Sequence, residues 1–348
     1  MHSPTEHTLT LADALTRISS TKVDCFEAAL KEAQYAGGQC LKIGMDTHEL
    51  TPGAWATFCK YLNLPEDLLP QLKTGLGNLV LKSLNAVGRR GKKAPEVIRF
   101  SYDKEGQIIS LTPTDLVCLP NDEVTRIIQE ATPREIISET LSVRLSLTPT
   151  EFELDCYTNQ RSVQPRDGDI LYGGVSIRHS QTGTATTVVL GYIHRVVCTN
   201  GMTQRVCLAG KPARTKRCRA KNSKEPVCEA IREQIGQAWI QIQERLDGLK
   251  ELTKHSLETH ELPEALRRRW SINRDVAAEI AAALNQDEFG GSYTEYDLVN
   301  ALSRVATHSR RLAPRYRRHL ALVAGMFAQR HIHRCPQCGT WLYGKAQD

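Results

Sequence analysis

GDILYGGVSIRHSQTGTATTVVLGYIHRVVCTNGM, residues 168–202, decides the fold. Two runs rich in Val, Ile, Leu and Tyr flank a Gly-Thr turn, which reads as neighbouring β-strands. LSVRLSLTP (141–149) and EFELDCYTN (151–159) have the same character. Residues 140–197 are therefore expected to be mostly extended, with Gly, Asp, Asn and Pro marking the turns.

Outward from this block the apolar period changes to that of helices. Cys228, Ile231, Ile235, Ala238, Ile242, Leu246, Leu249 and Leu252 recur three or four apart, so 226–256 reads as one long helix. Further helices are expected at 262–286, 294–308 and 314–330. Upstream, 120–138 and 9–36 carry helical spacing. In LTPGAWATFCKYLNLPEDLLPQL (50–72), Thr51 suits an N-cap and Pro52 the first helical position. Leu64-Pro65 ends that helix, and a second short one follows. EVIRFSYDKEGQIISLTP (96–113) alternates about a DKEG turn and reads as a β-hairpin. The expected class is α+β: a β-rich central core with helical N-terminal and C-terminal regions and a short CxxC zinc-knuckle-like tail. The expected division is 1–110, a helical region ending in a β-hairpin; 111–225, a β-rich domain with a basic arm; 226–330, helical; and 331–348, a zinc-binding tail.

A chain of 348 residues can bury a full core, and a net charge of +6 is modest, so the distribution of charge matters more than its sum. No basic-then-apolar leader opens the sequence and no apolar run has spanning length. A cytoplasmic protein without membrane contact is expected. The 11 cysteines are odd in number and irregularly spaced, which argues against a disulfide framework. Cys25, Cys40, Cys59, Cys118 and Cys156 sit singly among apolar residues and read as small core hydrophobes.

Three chemistries compete for HRVVCTNGMTQRVCLAGKPARTKRCRAK (194–221). Cys198 as a nucleophile needs a base, but His194 on the same strand face lies roughly 13 Å away by strand rise. A zinc site from Cys198, Cys207, Cys218 and Cys228 lacks the close C-x2-4-C pairs of structural zinc. The third reading is a polyanion surface. Arg205, Lys211, Arg214, Lys216, Arg217, Arg219, Lys221 and Lys224 follow one another with no acidic residue between, as expected of a basic arm or loop. Arg195 and Asn200 are candidates beside them, although Asn200-Gly201 also suits a plain turn. A second cationic field holds Arg310, Arg311, Arg315, Arg317 and Arg318, with Tyr316 among them as a base-stacking candidate. A helix face paired with the acidic 225–266 region is the competing reading of that field. HIHRCPQCGTWLYG (331–344) contains the C-P-x-C-G turn of zinc ribbons, so Cys335 and Cys338, with His331 and His333, are the expected zinc ligands. No organic cofactor is expected.

These blocks resemble the phage/plasmid-like family known as domain of unknown function 932. The likeness lies in residues 168–202, above all VCTNGM, and extends to LPEDLLPQL (64–72), GQIISLTPTDLVCLPNDEV (106–124) and YDLVNALSRVATHSRRLAPRYRRHLALVAGMF (296–327). It spans about residues 45–328 and departs at His179, where the pattern has Asn before the Ser. The resemblance implies a phage, plasmid or other mobile-element protein. By fold analogy it implies an oligomeric single-strand binding or annealing factor acting in recombination. The expected partners are nucleic acid, single-stranded DNA first, and further copies of the chain. A metal-dependent nuclease using carboxylates such as Glu153, Asp167 and Asp169 is one alternative. A protein–protein module of a phage-defence or counter-defence complex, docking through 226–256, is another.

Overall fold

A computed structural model describes residues 9–87, 96–137, 141–197, 202–214, 224–257, 259, 262–285, 293–309, 311–328, 331–334 and 341–344. Helix α1 (Leu11–Ser20) is capped by Thr10, whose hydroxyl accepts the Asp13 amide at 3.1 Å. The helix expected over 9–36 stops there. The hydroxyls of Ser20 and Thr21 both donate to Arg17 O, and side-chain bonds of this kind offer the last turn an alternative to the helical ladder. The chain then enters β1 (Asp24–Ala29), β2 (Gln34–Gly37), β3 (Cys40–Ile43) and β4 (Asp46–Glu49). The competing pull is tertiary: Phe26 pairs across strands with Phe100, and their rings stack 5.2 Å apart.

Helix α2 (Pro52–Leu62) starts on Thr51 as the sequence expects, and it ends on Asn63 in the left-handed conformation, just ahead of Leu64-Pro65. Helix α3 (Thr74–Val87) follows, then β5 (Val97–Tyr102) and β6 (Ile108–Pro113) as the DKEG hairpin. The carboxylate of Asp103 holds that turn by accepting the amides of Glu105 and Gln107. These elements form sheets β2-β3-β4 and β1-β5-β6 around a core of Tyr35, Trp55, Phe58 and Phe100.

After α4 (Asn121–Ala131) and α5 (Arg134–Ile137) come β7 (Leu141–Leu147), β8 (Glu151–Arg166), β9 (Asp169–Ser180), β10 (Val188–Val197) and β11 (Met202–Arg214). They form one antiparallel meander in the order β11-β10-β9-β8-β7. One face carries Phe152, Leu154, Cys156, Val175, Ile177 and Val189. Against it lie α1, α4 and the first half of α6 (Glu225–Glu251), through Val227, Ile231, Ile235 and Trp239. The second half of α6 uses Ile242, Leu246 and Leu249 to join Leu171 and Ile193 to the remaining helices. Each such fully buried aliphatic side chain contributes roughly 1.5–3 kcal/mol of transfer free energy.

Those helices are α7 (Leu262–Trp270), α8 (Arg274–Asn285), α9 (Glu295–His308) and α10 (Pro314–Phe327). The single helix expected over 262–286 is broken, because Ser271 takes φ 54° and Asn273 Oδ1 accepts the Asp275 amide. A hairpin of β12 (His331–Arg334) and β13 (Trp341–Gly344) follows. The class is α+β. Among the described residues no helix is long and apolar enough to cross a membrane.

Two adjacent glycines set the spacing of the central layer. A Cβ on Gly173 would stand 2.7 Å from Ile242 Cγ1, so its absence lets α6 lie close on the sheet. A Cβ on Gly174 would stand 1.9 Å from the Cys156 carbonyl oxygen of β8. Just beyond, β8 bulges: Thr158 pairs with Gly173 and Ser162 with Tyr172, which leaves residues 159–161 outside the ladder. Arg161 in that bulge donates to Trp239 O of α6 at 2.9 Å.

Candidate nucleic-acid interface

The tract expected as a basic arm is a strand over its first half. Residues 202–214 are β11, the edge of the five-stranded sheet, and 215–223 lie outside the described residues. Pairing with β10 offsets the expected charge repulsion: Arg205 faces His194 and Arg214 faces Val188. Between them the edge bulges, since Val189 pairs with Ala213 and Gly191 with Leu208. Residues 209–212, with Lys211 and Pro212, stand opposite Leu190 alone. A bulge carrying Pro and Lys also blunts an edge strand against chance pairing with another chain.

The second cationic tract lies beside the first. Helix α10 packs along β11, and α9 touches it as well. The helix that bears Arg315, Arg317 and Arg318 is thus the neighbour of the edge strand that bears Arg205, Lys211 and Arg214. Arg311, just ahead of α10, is exposed; Arg310 lies outside the described residues. Arg317 Nε donates to Leu312 O at 3.1 Å. Tyr316, expected as a stacking ring, is committed instead to joining helices: its hydroxyl accepts the Asn273 amide at 2.6 Å, and its ring packs on the C-terminal core.

Arg195 is likewise engaged within the fold. Its Nε and Nη2 donate to the two oxygens of Asp169 at 2.6 and 2.8 Å, and Tyr296 donates its hydroxyl to the same carboxylate at 2.6 Å. Alongside, Arg166 donates to both oxygens of Asp297 at 2.6 and 2.9 Å and to Thr294 Oγ1 at 2.9 Å. Arg166 and Asp169 flank the Asp167-Gly168 turn, where Gly168 takes φ 79°. Thr294 and Asp297 form the capping box of α9. The tip of the β8–β9 hairpin is thus clamped onto the first turn of α9, with both guanidinium groups over the Tyr296 ring at 5.6 and 5.8 Å. Burial pushes the Tyr296 phenol well above its usual range, so it stays a donor. Burial also raises the Asp297 carboxyl, but the bonds from Arg166 and Thr294 outweigh it and hold the group below the usual carboxylate range. By fixing α9, this clamp positions its neighbour α10 beside β11.

No family model, curated protein or solved structure matches this chain.

The carboxylates named for a nuclease do not converge. Glu153 pairs with Arg178 at one end of the β8–β9 ladder and Asp169 with Arg166 at the other, about 30 Å apart by strand rise. The helix named as a docking face, α6, has its apolar side under the sheet; Ile240 is its one large exposed hydrophobe among the described residues. Asn200 and Cys198 lie outside the described residues, in the four-residue connection closed by the Val197–Met202 pair. Lys216, Arg217, Arg219 and Lys221 are outside them too. In the tail, His331 pairs with Gly344 and His333 with Leu342, while Cys335 and Cys338 fall in the undescribed residues 335–340.

A ring cluster escaped the sequence reading. His194 stacks on Tyr157 at 4.1 Å and 8°, and Tyr172 and Tyr192 each lie 6.3 Å from it. Its signal was present, since Tyr172, Tyr192 and His194 occupy alternating positions opposite the apolar ones.

Proposed function

We propose that this protein binds nucleic acid, single-stranded DNA first, along the edge formed by β11 and α10. The observation that carries the reading is the adjacency of the two basic tracts: α10 packs along β11 although the two are far apart in sequence. Each tract alone could be a solvated surface. Side by side they make a cationic strip suited to a phosphate backbone, and Arg supplies bidentate phosphate contacts. The strip continues in sequence into Lys216, Arg217, Arg219 and Lys221. An oligomeric mobile-element protein, as the residues of 168–202 suggest by resemblance, is part of the same proposal, and so is zinc in the tail. The β12–β13 pairing brings the two flanks of CPQCGT together, which favours the zinc reading of that sequence. Zinc there would fasten the tail as a structural ion.

The test is a gel-shift series with single- and double-stranded DNA and RNA over a range of salt. Replacing Arg214, Lys216, Arg217 and Arg219 together should weaken binding and lower the salt slope. Each lost phosphate contact reduces that slope by roughly 0.7 for a single strand. Unchanged affinity at matched salt would overturn the reading. Metal-dependent cleavage of the bound DNA would make the protein a nuclease instead.

A further inference from the structure

We infer that the sheet face turned away from α6 is a base-stacking platform, with Tyr172 and Tyr157 as the rings that receive the bases of a single strand. This rests on the nucleic-acid reading above and adds to it a second surface and a second kind of contact.

The register places the residues. Side chains alternate along a strand, and directly paired residues share a face. Gly173, Val175 and Ile177 face α6 and its core, so Tyr172, Gly174, Ser176 and Arg178 face the other way. One transverse row on that side runs Ser162, Tyr172, His194 from β8 to β10, and His194 pairs in register with position 205 of β11. The next runs Tyr157, Gly174, Tyr192, which pairs in register with position 207 of β11. Both rows lead from rings towards the basic edge strand. Because Gly174 has no side chain, the Tyr157 ring lies across it onto His194 at 4.1 Å and 8°, and Tyr172 lies parallel to both within 15°.

The half-buried Tyr157 and Tyr172 are the accessible rings of this group. Tyr157, Tyr172, Tyr192 and His194 belong to none of the three apolar clusters among the described residues. Tyr192 and His194 are buried, but Tyr157 and Tyr172 are half-buried, and Ser162, Gln164 and Ile170 beyond them are exposed. Away from the hairpin tip the same face carries Glu151, Glu153 and Asp155 on β8 together with Arg144 on β7 and Arg178 on β9, and Arg178 pairs with Glu151 at 2.7 Å. The charges at that end are paired with one another, whereas the row through Tyr172 leads to the register position of Arg205 on the edge strand. Partly exposed parallel rings beside a cationic edge are what sequence-tolerant single-strand binders use: the edge takes phosphates and the rings take π-faces.

The experiment compares oligodeoxythymidylate with an abasic oligonucleotide of equal length and charge, using fluorescence anisotropy at one salt concentration. Wild type should prefer the oligonucleotide with bases, by roughly 5- to 150-fold per stacked base. Tyr172→Leu should reduce that preference while leaving abasic affinity unchanged, and Tyr172→Phe should keep it. Ultraviolet cross-linking of wild type to 5-iodouracil DNA should place adducts on Tyr157 or Tyr172, a readout that needs no folded variant. Equal affinity for the two oligonucleotides, an undiminished preference in folded Tyr172→Leu, or adducts confined to other residues would overturn the platform and leave the basic strip standing. Failure of both oligonucleotides to bind would overturn the nucleic-acid reading and the platform with it.

Discussion

Tyr296 donates its hydroxyl to Asp169 across 127 residues of chain, at 2.6 Å, and so ties the first turn of α9 to the tip of the β8–β9 hairpin. Asp169 also holds Arg195, and both side chains of that pair are less than one-fifth exposed. Removing one partner of a buried pair leaves the other charge desolvated, which costs about 3–5 kcal/mol, whereas deleting a single neutral donor costs about 1 kcal/mol. Asp169→Ala should therefore destabilise the protein several-fold more than Tyr296→Phe in urea titrations. If Asp169→Ala shifts stability by less than about 0.5 kcal/mol, a value typical of surface changes, the clamp does not hold the layers together.

Gly174→Ala should be the worse of two neighbouring glycine substitutions. Its new Cβ would meet the Cys156 carbonyl oxygen at 1.9 Å, and backbone of a paired strand can give way only by parting the ladder. At Gly173 the obstruction is Ile242 Cγ1 at 2.7 Å, the end of a side chain that can repack. Overpacking of the second kind costs about 1–3 kcal/mol, and Gly174→Ala should exceed it. Thermal melts of the two variants check the order; the reverse order would contradict the close approach of β9 to β8 at Gly174.

Much of this fold is legible in the sequence where local chemistry decides it. Thr51-Pro52 announces a helix start, DKEG a hairpin, and the spacing from Cys228 to Leu252 a helix with one apolar side. Legibility fails where distant contacts decide. Phe26, Ala29 and Leu30 suit a helical spacing, and only the pairing of β1 with β5 makes part of that run a strand. A basic tract looks self-repelling until β10 offers it a ladder. No spacing rule connects Arg166 to Asp297. The candidate strip was half visible: its charges are plain in the sequence, but the packing of α10 on β11 is not.

Zinc in the tail makes a separate expectation. Elemental analysis should find about one zinc per chain, as a closed structural site holds one ion. A Cys335→Ser, Cys338→Ser double variant should lose it and should keep the melting behaviour of the central sheet. Wild type without zinc, or a double variant that retains it, would remove the tail from consideration as a metal site.

His179 should make stability fall in mild acid. Its ring is 2 % exposed, beside Phe152 at 5.5 Å, and burial pushes its pKa from 6.5 down to about 4. The backbone fixes the tautomer. Leu119 O can only accept, so Nε2 carries the hydrogen and donates at 2.9 Å, and Nδ1 accepts the Thr187 hydroxyl at 2.8 Å. Protonation would turn Nδ1 into a second donor in a buried site and break that arrangement. Between pH 6.5 and 4 the unfolded chain takes up a proton at this residue and the folded chain does not, so folding stability drops as pH is lowered. At about 1.4 kcal/mol per pH unit, the loss from this one residue approaches 3 kcal/mol at pH 4. It is absent above pH 6.5, where both states are neutral. Asp297 adds a further loss at lower pH, because its folded carboxyl is held below the usual range and its protonation releases Arg166. His179→Asn separates the two contributions. An amide can still donate to one oxygen and accept from another but does not titrate. Urea midpoints for the variant should fall less steeply than wild type from pH 6.5 to 4 and in parallel with it below that. Equal slopes through the upper window would mean that the His179 site opens to water before it feels the acid.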